Sequence, residues 1–99
     1  MAKNYDRYEA GSINVDTDGT IIDPDFVVEE IQVVNRSTQN DIEFRTLGTA
    51  AQSIDGPWIP ILQGSGSRTP FERKFNLKCD RIEIRAQANT ADVDYFLRP

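Results

Sequence analysis

The sequence contains no histidine, and Cys79 is the one cysteine among its 99 residues. Histidine is the usual general base and a frequent zinc ligand, so its absence excludes the common catalytic triads and zinc sites. A single cysteine excludes an internal disulfide and a cluster of thiolate ligands. We therefore expect no catalytic residues, and we expect Cys79 to have a structural role.

The sequence also lacks an excess of basic residues and any long apolar run. It has 11 lysines and arginines against 16 aspartates and glutamates, which leaves a net charge of −5. Such a chain lacks the overall positive charge that favours binding to nucleic acid or to an anionic membrane. No apolar run approaches the roughly 20 residues of a transmembrane helix, and residues 1–6 lack the apolar core of a signal peptide. We expect synthesis in a cytoplasm, with no nucleic-acid or membrane partner.

The clearest pattern that the sequence does contain lies in its last third. Residues 71–77, 82–86 and 93–97 place apolar residues at alternate positions, with Arg73 as the exception, and mostly polar residues between them. A period of two is typical of strands with one buried and one solvated face. Similar short segments recur along the chain at roughly ten-residue spacing. The pattern predicts an all-β fold, an antiparallel β-sandwich or jelly-roll-like domain of roughly seven or eight short strands.

The first ten residues differ from the rest, because they are polar and follow neither strand nor helix periodicity. They predict a flexible N-terminal arm over residues 1–10, ahead of a single β-sandwich domain over residues 11–99. Tyr5 and Tyr8 are amphipathic side chains of the kind that bury well at interfaces. We therefore expect the arm to become ordered against a neighbouring subunit.

Residues 14–25 allow two interpretations. The loop has oxygen-bearing side chains at the positions that bind calcium in an EF-hand loop, namely Asn14, Asp16, Asp18 and Asp25. However, its last position is an aspartate instead of the usual bidentate glutamate, and Pro24 disfavours a helix there. The favoured interpretation is a β-hairpin in which Gly19 closes an acidic turn between residues 12–15 and 20–22. No cofactor is expected, and calcium is the alternative.

Residues 58–62 form a dense apolar segment that a proline interrupts. Proline cannot donate a ladder hydrogen bond, so the segment predicts an edge strand or a bulged strand. A tryptophan in such a segment more often lies in a core or an interface than free on the surface. We expect interface residues at Trp58, Ile59 and Leu62, together with Tyr5 and Tyr8.

Four segments together resemble a family of virion proteins. They are a strand ending in a turn (residues 31–37), a short strand (42–45), an edge followed by a Gly/Ser loop (60–67) and a paired ending (80–97). The set resembles small β-sandwich proteins of tailed bacteriophages, especially capsid decoration or cement proteins. The resemblance covers roughly two-thirds of the chain and defines no functional residues. It implies a structural protein on the outer surface of the capsid.

On this resemblance the partner is the major capsid protein, whose subunits the chain would bridge to stabilise the phage head. The chain itself would be a homo-oligomer, a trimer or a dimer. Two alternatives remain open at this point. One is another phage structural component, such as a tail or adaptor protein. The other is a calcium-dependent or carbohydrate-binding β-sandwich module, in which Trp58 stacks on a sugar ring.

Overall fold

The computed structural model describes residues 7–48, 55–63 and 71–99, and within residues 71–77 it describes the backbone alone. These ranges contain eight strands and no helix. The strands are β1 (Glu9–Val15), β2 (Thr20–Ile22), β3 (Val28–Asn35), β4 (Ile42–Leu47), β5 (Ile59–Ile61), β6 (Phe71–Cys79), β7 (Arg81–Ala86) and β8 (Ala91–Arg98).

The strands form two antiparallel sheets of four, with the orders β1-β8-β3-β6 and β2-β7-β4-β5. Their pairing is nested: β4 pairs with β5, β3 with β6, β2 with β7 and β1 with β8. Two further pairings, β3 with β8 and β4 with β7, roll this ribbon of paired strands into two sheets. The arrangement is a jelly roll, and it confirms the predicted fold class.

The two sheets enclose the core between their apolar faces, as the alternation predicted. In β7 the side chains of Ile82 and Ile84 are fully buried, and their polar neighbours point outward. Val93 and Leu97 of β8 are also fully buried, and the partly buried Tyr95 packs against the same core. The predicted partners within residues 71–77 lie outside the described side chains.

The predicted hairpin around Gly19 is wrong, because β1 and β2 lie in different sheets. The turn itself forms: Asp16 Oδ1 accepts hydrogen bonds from the backbone N–H groups of Asp18 at 2.9 Å and Gly19 at 3.2 Å. Gly19 has a φ of 90°, a conformation that glycine adopts without strain. The turn reverses the chain but carries it to the other sheet, so local turn chemistry did not reveal the strand partners.

The β1 strand begins earlier than the sequence pattern indicated. It starts at Glu9, which pairs with Leu97, and it continues through Ala10, which pairs with Phe96. Two residues assigned to the arm are therefore part of the sheet. Their strand conformation depends on β8, which lies more than 80 residues further along the chain, and local periodicity does not report such a partner.

Two more residues of the predicted arm contact the domain. Arg7 Nη2 lies 2.8 Å from Asp25 Oδ1. The ring of Tyr8 stacks on the ring of Phe96, with 5.5 Å between the centroids and 15° between the planes. Arg7 and Tyr8 therefore lie against their own domain in this structure. Tyr5 lies outside the described residues.

A buried polar side chain, Asn35 at the end of β3, organises the loop that follows. Its Nδ2 donates to the carbonyl oxygens of Asn40 at 2.9 Å and Ile61 at 3.2 Å. Its Oδ1 accepts from the backbone N–H of Ser37 at 2.9 Å. Because a buried amide is costly unless it is hydrogen-bonded, these contacts fix the loop against the end of β5.

Candidate interaction surface

The outer face of the sheet β2-β7-β4-β5 carries an aromatic ring among charged side chains. Backbone register places these side chains in rows, because Glu83 pairs with both Ile21 of β2 and Arg45 of β4. Glu43 likewise pairs with both Arg85 and a residue of β5. We call this surface the Trp58 face, and it comprises Ile21, Glu43, Arg45, Trp58, Leu62, Glu83 and Arg85.

The charged residues of the Trp58 face form two ion pairs between directly opposed positions. Arg45 donates to Glu83 Oε1 from Nη2 at 2.8 Å and from Nε at 2.9 Å. Arg85 likewise donates to Glu43 Oε1 from its Nη2 and Nε atoms. The two glutamate side chains are 15% and 16% exposed, so solvent screens these pairs less than it screens fully exposed ones. Within each pair the glutamate neutralises the charge of the arginine and holds its guanidinium group in place.

Trp58 lies over these arginines. The guanidinium carbon of Arg45 is 4.6 Å from the ring centroid and that of Arg85 is 3.8 Å from it. The ring thus reaches from the residue before β5 to arginines of both β4 and β7, and both contacts have cation–π geometry. The preceding segment is fixed by Gly56, whose N–H donates to the carbonyl of Thr46 at 2.7 Å. A Cβ at Gly56 would lie 2.4 Å from Thr46 Oγ1, so a larger residue there would force the Thr46 hydroxyl to move.

Exposed apolar side chains border the cluster. Ile21 is 51% exposed and Leu62 is 54% exposed. Leu62 and Trp58 share the outer side of the β5 segment, whereas Ile59 points the other way and packs against the core. A central tryptophan with two arginines and an apolar border has the composition of a protein-interaction hot spot.

The sequence predicted Trp58 and Leu62 as interface residues but missed the arginine and glutamate pairs. A signal for them exists, because residues 43–45 and 83–85 are two copies of the same pattern, Glu-x-Arg. Antiparallel strands carrying this pattern in register place each glutamate opposite an arginine. Using this signal requires knowing that β4 pairs with β7, which the sequence pattern did not show.

The predicted interface residue Tyr8 lies on the other side of the sandwich. It is 62% exposed and stacks on Phe96, an outward-facing residue of β8 in the sheet β1-β8-β3-β6. Close to it, the guanidinium of Arg7 lies 5.7 Å from the ring centroid of Phe26. The structure therefore does not bring Tyr8 and Trp58 together, and they belong to two separate surfaces.

Three of the four candidate calcium ligands have side-chain contacts with other groups in the structure. Asn14 Nδ2 donates to Asp92 Oδ1 at 2.9 Å, Asp16 caps its own turn, and Asp25 pairs with Arg7. Across residues 7–48, 55–63 and 71–99, no three histidine, cysteine, aspartate or glutamate side chains are grouped to hold a metal. The structure therefore does not group Asn14, Asp16, Asp18 and Asp25 around one position where a metal ion could bind.

The single cysteine lies in the core and is 1% exposed. Burial, and then the charge of Asp80, raises the pKa of the Cys79 thiol to about 11. The thiol is therefore protonated at neutral pH, and the thiolate that would act as a nucleophile is scarce. Cys79 serves the core as a small apolar side chain.

Comparison of the chain with protein-family models, with curated proteins and with solved structures finds no match. In the part of the chain that the structure describes, no helix has the length and apolar character needed to cross a membrane.

Proposed function

We propose that this chain is a structural protein of a tailed-phage virion without enzymatic activity. In this proposal it decorates the outer surface of the capsid and stabilises the head by bridging subunits of the major capsid protein. The observation that carries the proposal is the Trp58 face, a preformed cluster of aromatic, arginine and apolar side chains. The jelly roll is compatible with it, since viral capsid and lectin domains both use this fold.

The Trp58 face suits a contact with protein better than a contact with sugar. A sugar stacks on a bare aromatic face, whereas two guanidinium groups lie within 4.6 Å of the centroid of the Trp58 ring. The arginines are held by their glutamates, so little side-chain freedom is lost when a partner covers the cluster. Ile21 and Leu62 add apolar area that a protein surface can bury.

The paired charges also determine how binding should depend on salt. Both arginines of the Trp58 face already have carboxylate partners, so a capsid subunit need not supply any. Binding would then depend mainly on burial of Trp58, Ile21 and Leu62, which salt does not screen. We expect the affinity for the head to change little with moderate ionic strength.

The test uses phage heads assembled without this chain and the purified full-length chain. We expect the chain to co-sediment with the heads at a fixed saturating number of copies and to raise their resistance to heat. Trp58→Ala should lower the affinity by roughly tenfold to a hundredfold, as loss of a hot-spot residue does. Val27→Ala is the matched control, because Val27 is 45% exposed but lies outside the Trp58 face.

Each negative outcome has a defined meaning. Heads that bind no wild-type chain would refute the capsid proposal, and binding to purified tails instead would favour a tail or adaptor protein. Equal binding by wild type and Trp58→Ala would show that the Trp58 face is not the contact surface.

A second candidate function, carbohydrate binding, is favoured by a polar cleft at one end of the sandwich. The cleft lies between the loops that follow β3 and β7, and its lining includes Arg36, Asn40, Asn89 and Asp92. The two loops are joined by hydrogen bonds from Asn40 Nδ2 to the Thr90 carbonyl at 2.8 Å and from Arg36 N to the Asp92 carbonyl at 2.9 Å. Amide and carboxylate groups in a fixed cleft can bind sugar hydroxyls. Glycan-array binding that Arg36→Ala abolishes would support this function.

A further inference from the structure

The two sheets differ in how their edges are protected. The edges of the sheet β2-β7-β4-β5 are strands of three residues each, and one of them, β5, has Pro60 at its centre. Short strands and proline are devices that prevent a sheet edge from pairing with another chain. This sheet is therefore protected against addition of a further strand.

The β1 edge of the other sheet has none of these devices. β1 is seven residues long, and it pairs with β8 on one side without a described strand on its other side. It contains no lysine, arginine or proline, and its one charged residue is Glu9 at its first position. Its outward-facing side chains are the small residues Ala10, Ser12 and Asn14, which leave room for another strand. Natural proteins seldom leave such an edge open unless something pairs with it.

We propose that β1 pairs antiparallel with β1 of a second copy of this chain, which forms a dimer with a continuous eight-stranded sheet. The flanks of β1 carry opposite charges, and this favours a second copy as the partner. Arg7 precedes the strand, whereas Asp16 and Asp18 follow it. Arg7 pairs with Asp25 of its own chain, but both side chains are more than half exposed, so further carboxylates can approach the guanidinium. Antiparallel pairing about a two-fold axis at Ser12 would bring Arg7 near Asp16 and Asp18 of the partner subunit, and the symmetry would repeat the contact.

The same register avoids repulsion between like charges. With Ser12 on the axis, the two Glu9 residues lie at opposite ends of the paired strands, and all seven residues of β1 find partners. Other registers shorten the pairing or move the basic flank away from the acidic one. The inference concerns the sheet edge alone and does not rest on the proposed capsid contact, which uses the other sheet.

The first experiment measures the mass of the full-length chain by sedimentation and by light scattering over a range of concentrations. We expect a dimer, and we expect Ser12→Lys to make it monomeric, because two lysines would meet at the axis. Ser12 is exposed on the outer face of β1, so a lysine there extends into solvent and the fold should be retained. Ser12→Thr is the control and should remain dimeric.

A charge exchange tests the pairing directly. Ser12→Glu alone should also be monomeric, whereas an equimolar mixture with Ser12→Lys should form a heterodimer, since opposite charges then meet at the axis. Circular dichroism of each variant checks that it is folded. A monomeric wild type at all concentrations would overturn the proposal, and so would a folded Ser12→Lys variant that remains dimeric.

Cross-linking gives a second, independent test. Opposed residues of antiparallel strands have Cα atoms about 4.5–5.5 Å apart, which is within the range of a disulfide. Ser12→Cys should therefore form a covalent dimer on mild oxidation, whereas Leu62→Cys on the Trp58 face should not under the same conditions. Failure of Ser12→Cys to cross-link faster than Leu62→Cys would contradict the two-fold pairing. Heads can still bind the chain in that case, so this failure is distinct from failure of the capsid proposal.

Discussion

Arg45 and Glu83 lie directly opposite each other on β4 and β7, with Arg45 Nη2 2.8 Å from Glu83 Oε1. The neighbouring pair, Glu43 and Arg85, repeats the contact with the charges exchanged between the strands. The ring of Trp58 lies against both guanidinium groups, so one aromatic residue joins the two pairs into a single cluster. Removing one member should therefore affect the whole Trp58 face.

The first prediction compares Glu83 with its buried neighbour Ile84. Glu83→Ala should lower the free energy of unfolding by about 1 kcal/mol, because it breaks a largely covered ion pair. Ile84→Ala should lower it by about 2–4 kcal/mol, because it leaves a cavity in the core. Glu29→Ala is the control. The Glu29 carboxylate is 3.4 Å from Lys78 Nζ and its side chain is 48% exposed, so this substitution should cost under about 0.5 kcal/mol. Urea unfolding measures all three, and equal losses at Glu29 and Glu83 would contradict the cluster.

The second prediction concerns the buried amide of Asn35. Asn35→Ala should lower the free energy of unfolding by about 2–4 kcal/mol, because it leaves two carbonyls and one N–H without their partner. Asn40→Ala loses one hydrogen bond in a more exposed place and should cost about 1 kcal/mol or less. Thermal and urea unfolding test the difference. A loss at Asn35 no larger than at Asn40 would show that solvent reaches the end of β3.

The third prediction is a loss of stability at alkaline pH. The pKa of the Cys79 thiol rises from its usual 9.0 to about 11 in the folded chain, through burial and then Asp80. As the pH rises, the unfolded chain therefore loses the thiol proton at a lower pH than the folded chain does. The free energy of unfolding is consequently unaffected by the titration of this group below pH 9. It falls as the pH rises from there to about 11. The loss should reach about 2–3 kcal/mol.

Cys79→Ala is the control for this pH dependence. It should be less stable at neutral pH, but its stability should fall less steeply between pH 9 and 11, the window set by the thiol. A smaller decline should persist, because burial and then Glu9 also raise the pKa of Tyr95. Urea unfolding at a series of pH values measures both slopes, and identical slopes would mean that the thiol is solvated.

The fourth prediction concerns calcium and the turn at Asp16. Millimolar calcium and a chelator should give the same melting temperature, because Asn14, Asp16 and Asp25 each contact other groups and the described residues contain no grouped metal ligands. Asp16→Ala should lower the stability by about 1 kcal/mol in both conditions, since it removes the acceptor for the N–H groups of Asp18 and Gly19. Asp16→Asn retains that acceptor and should lose less. A rise of several degrees with calcium that Asp16→Ala abolishes would restore the metal site.

The fifth prediction concerns Asn89, between β7 and β8, which has a φ of 54°. Asparagine tolerates this left-handed conformation, whereas alanine adopts it with strain and glycine without it. Asn89→Ala should therefore cost about 1 kcal/mol, and Asn89→Gly should be nearly neutral. Thermal unfolding distinguishes the two, and a neutral alanine variant would show that the turn relaxes.

The period of two predicted the strands well because it depends on neighbouring residues alone. Ile82 and Ile84 alternate with charged residues, and their burial follows directly from that alternation. The strand partners were harder to predict, since the turn at Gly19 has the same local chemistry whether it joins two strands of one sheet or crosses to the other sheet. Only the packing of the two apolar faces decides between these outcomes.

In the candidate site too, local features could be predicted from the sequence, whereas contacts between distant strands could not. The apolar segment around Trp58 was visible in the sequence, and so was its tendency to lie at a sheet edge. Ile59 was assigned to the interface because it is apolar, but the alternation along β5 turns it toward the core. Arg45 and Arg85 could not be placed beside the ring, because their proximity depends on the register of strands 40 residues apart in sequence.

The nested pairing also bears on how the chain folds. Once β4 meets β5, the residues of β3 and β6 are already close, and each further pair closes a smaller effective loop than it would alone. We therefore expect β1 and β8, which are the most distant pair in sequence, to meet last. A topology dominated by such distant contacts folds in roughly milliseconds to seconds. In the monomeric Ser12→Lys variant, where β1 pairs with β8 alone, hydrogen exchange should accordingly show β1 opening first, well below the free energy of complete unfolding.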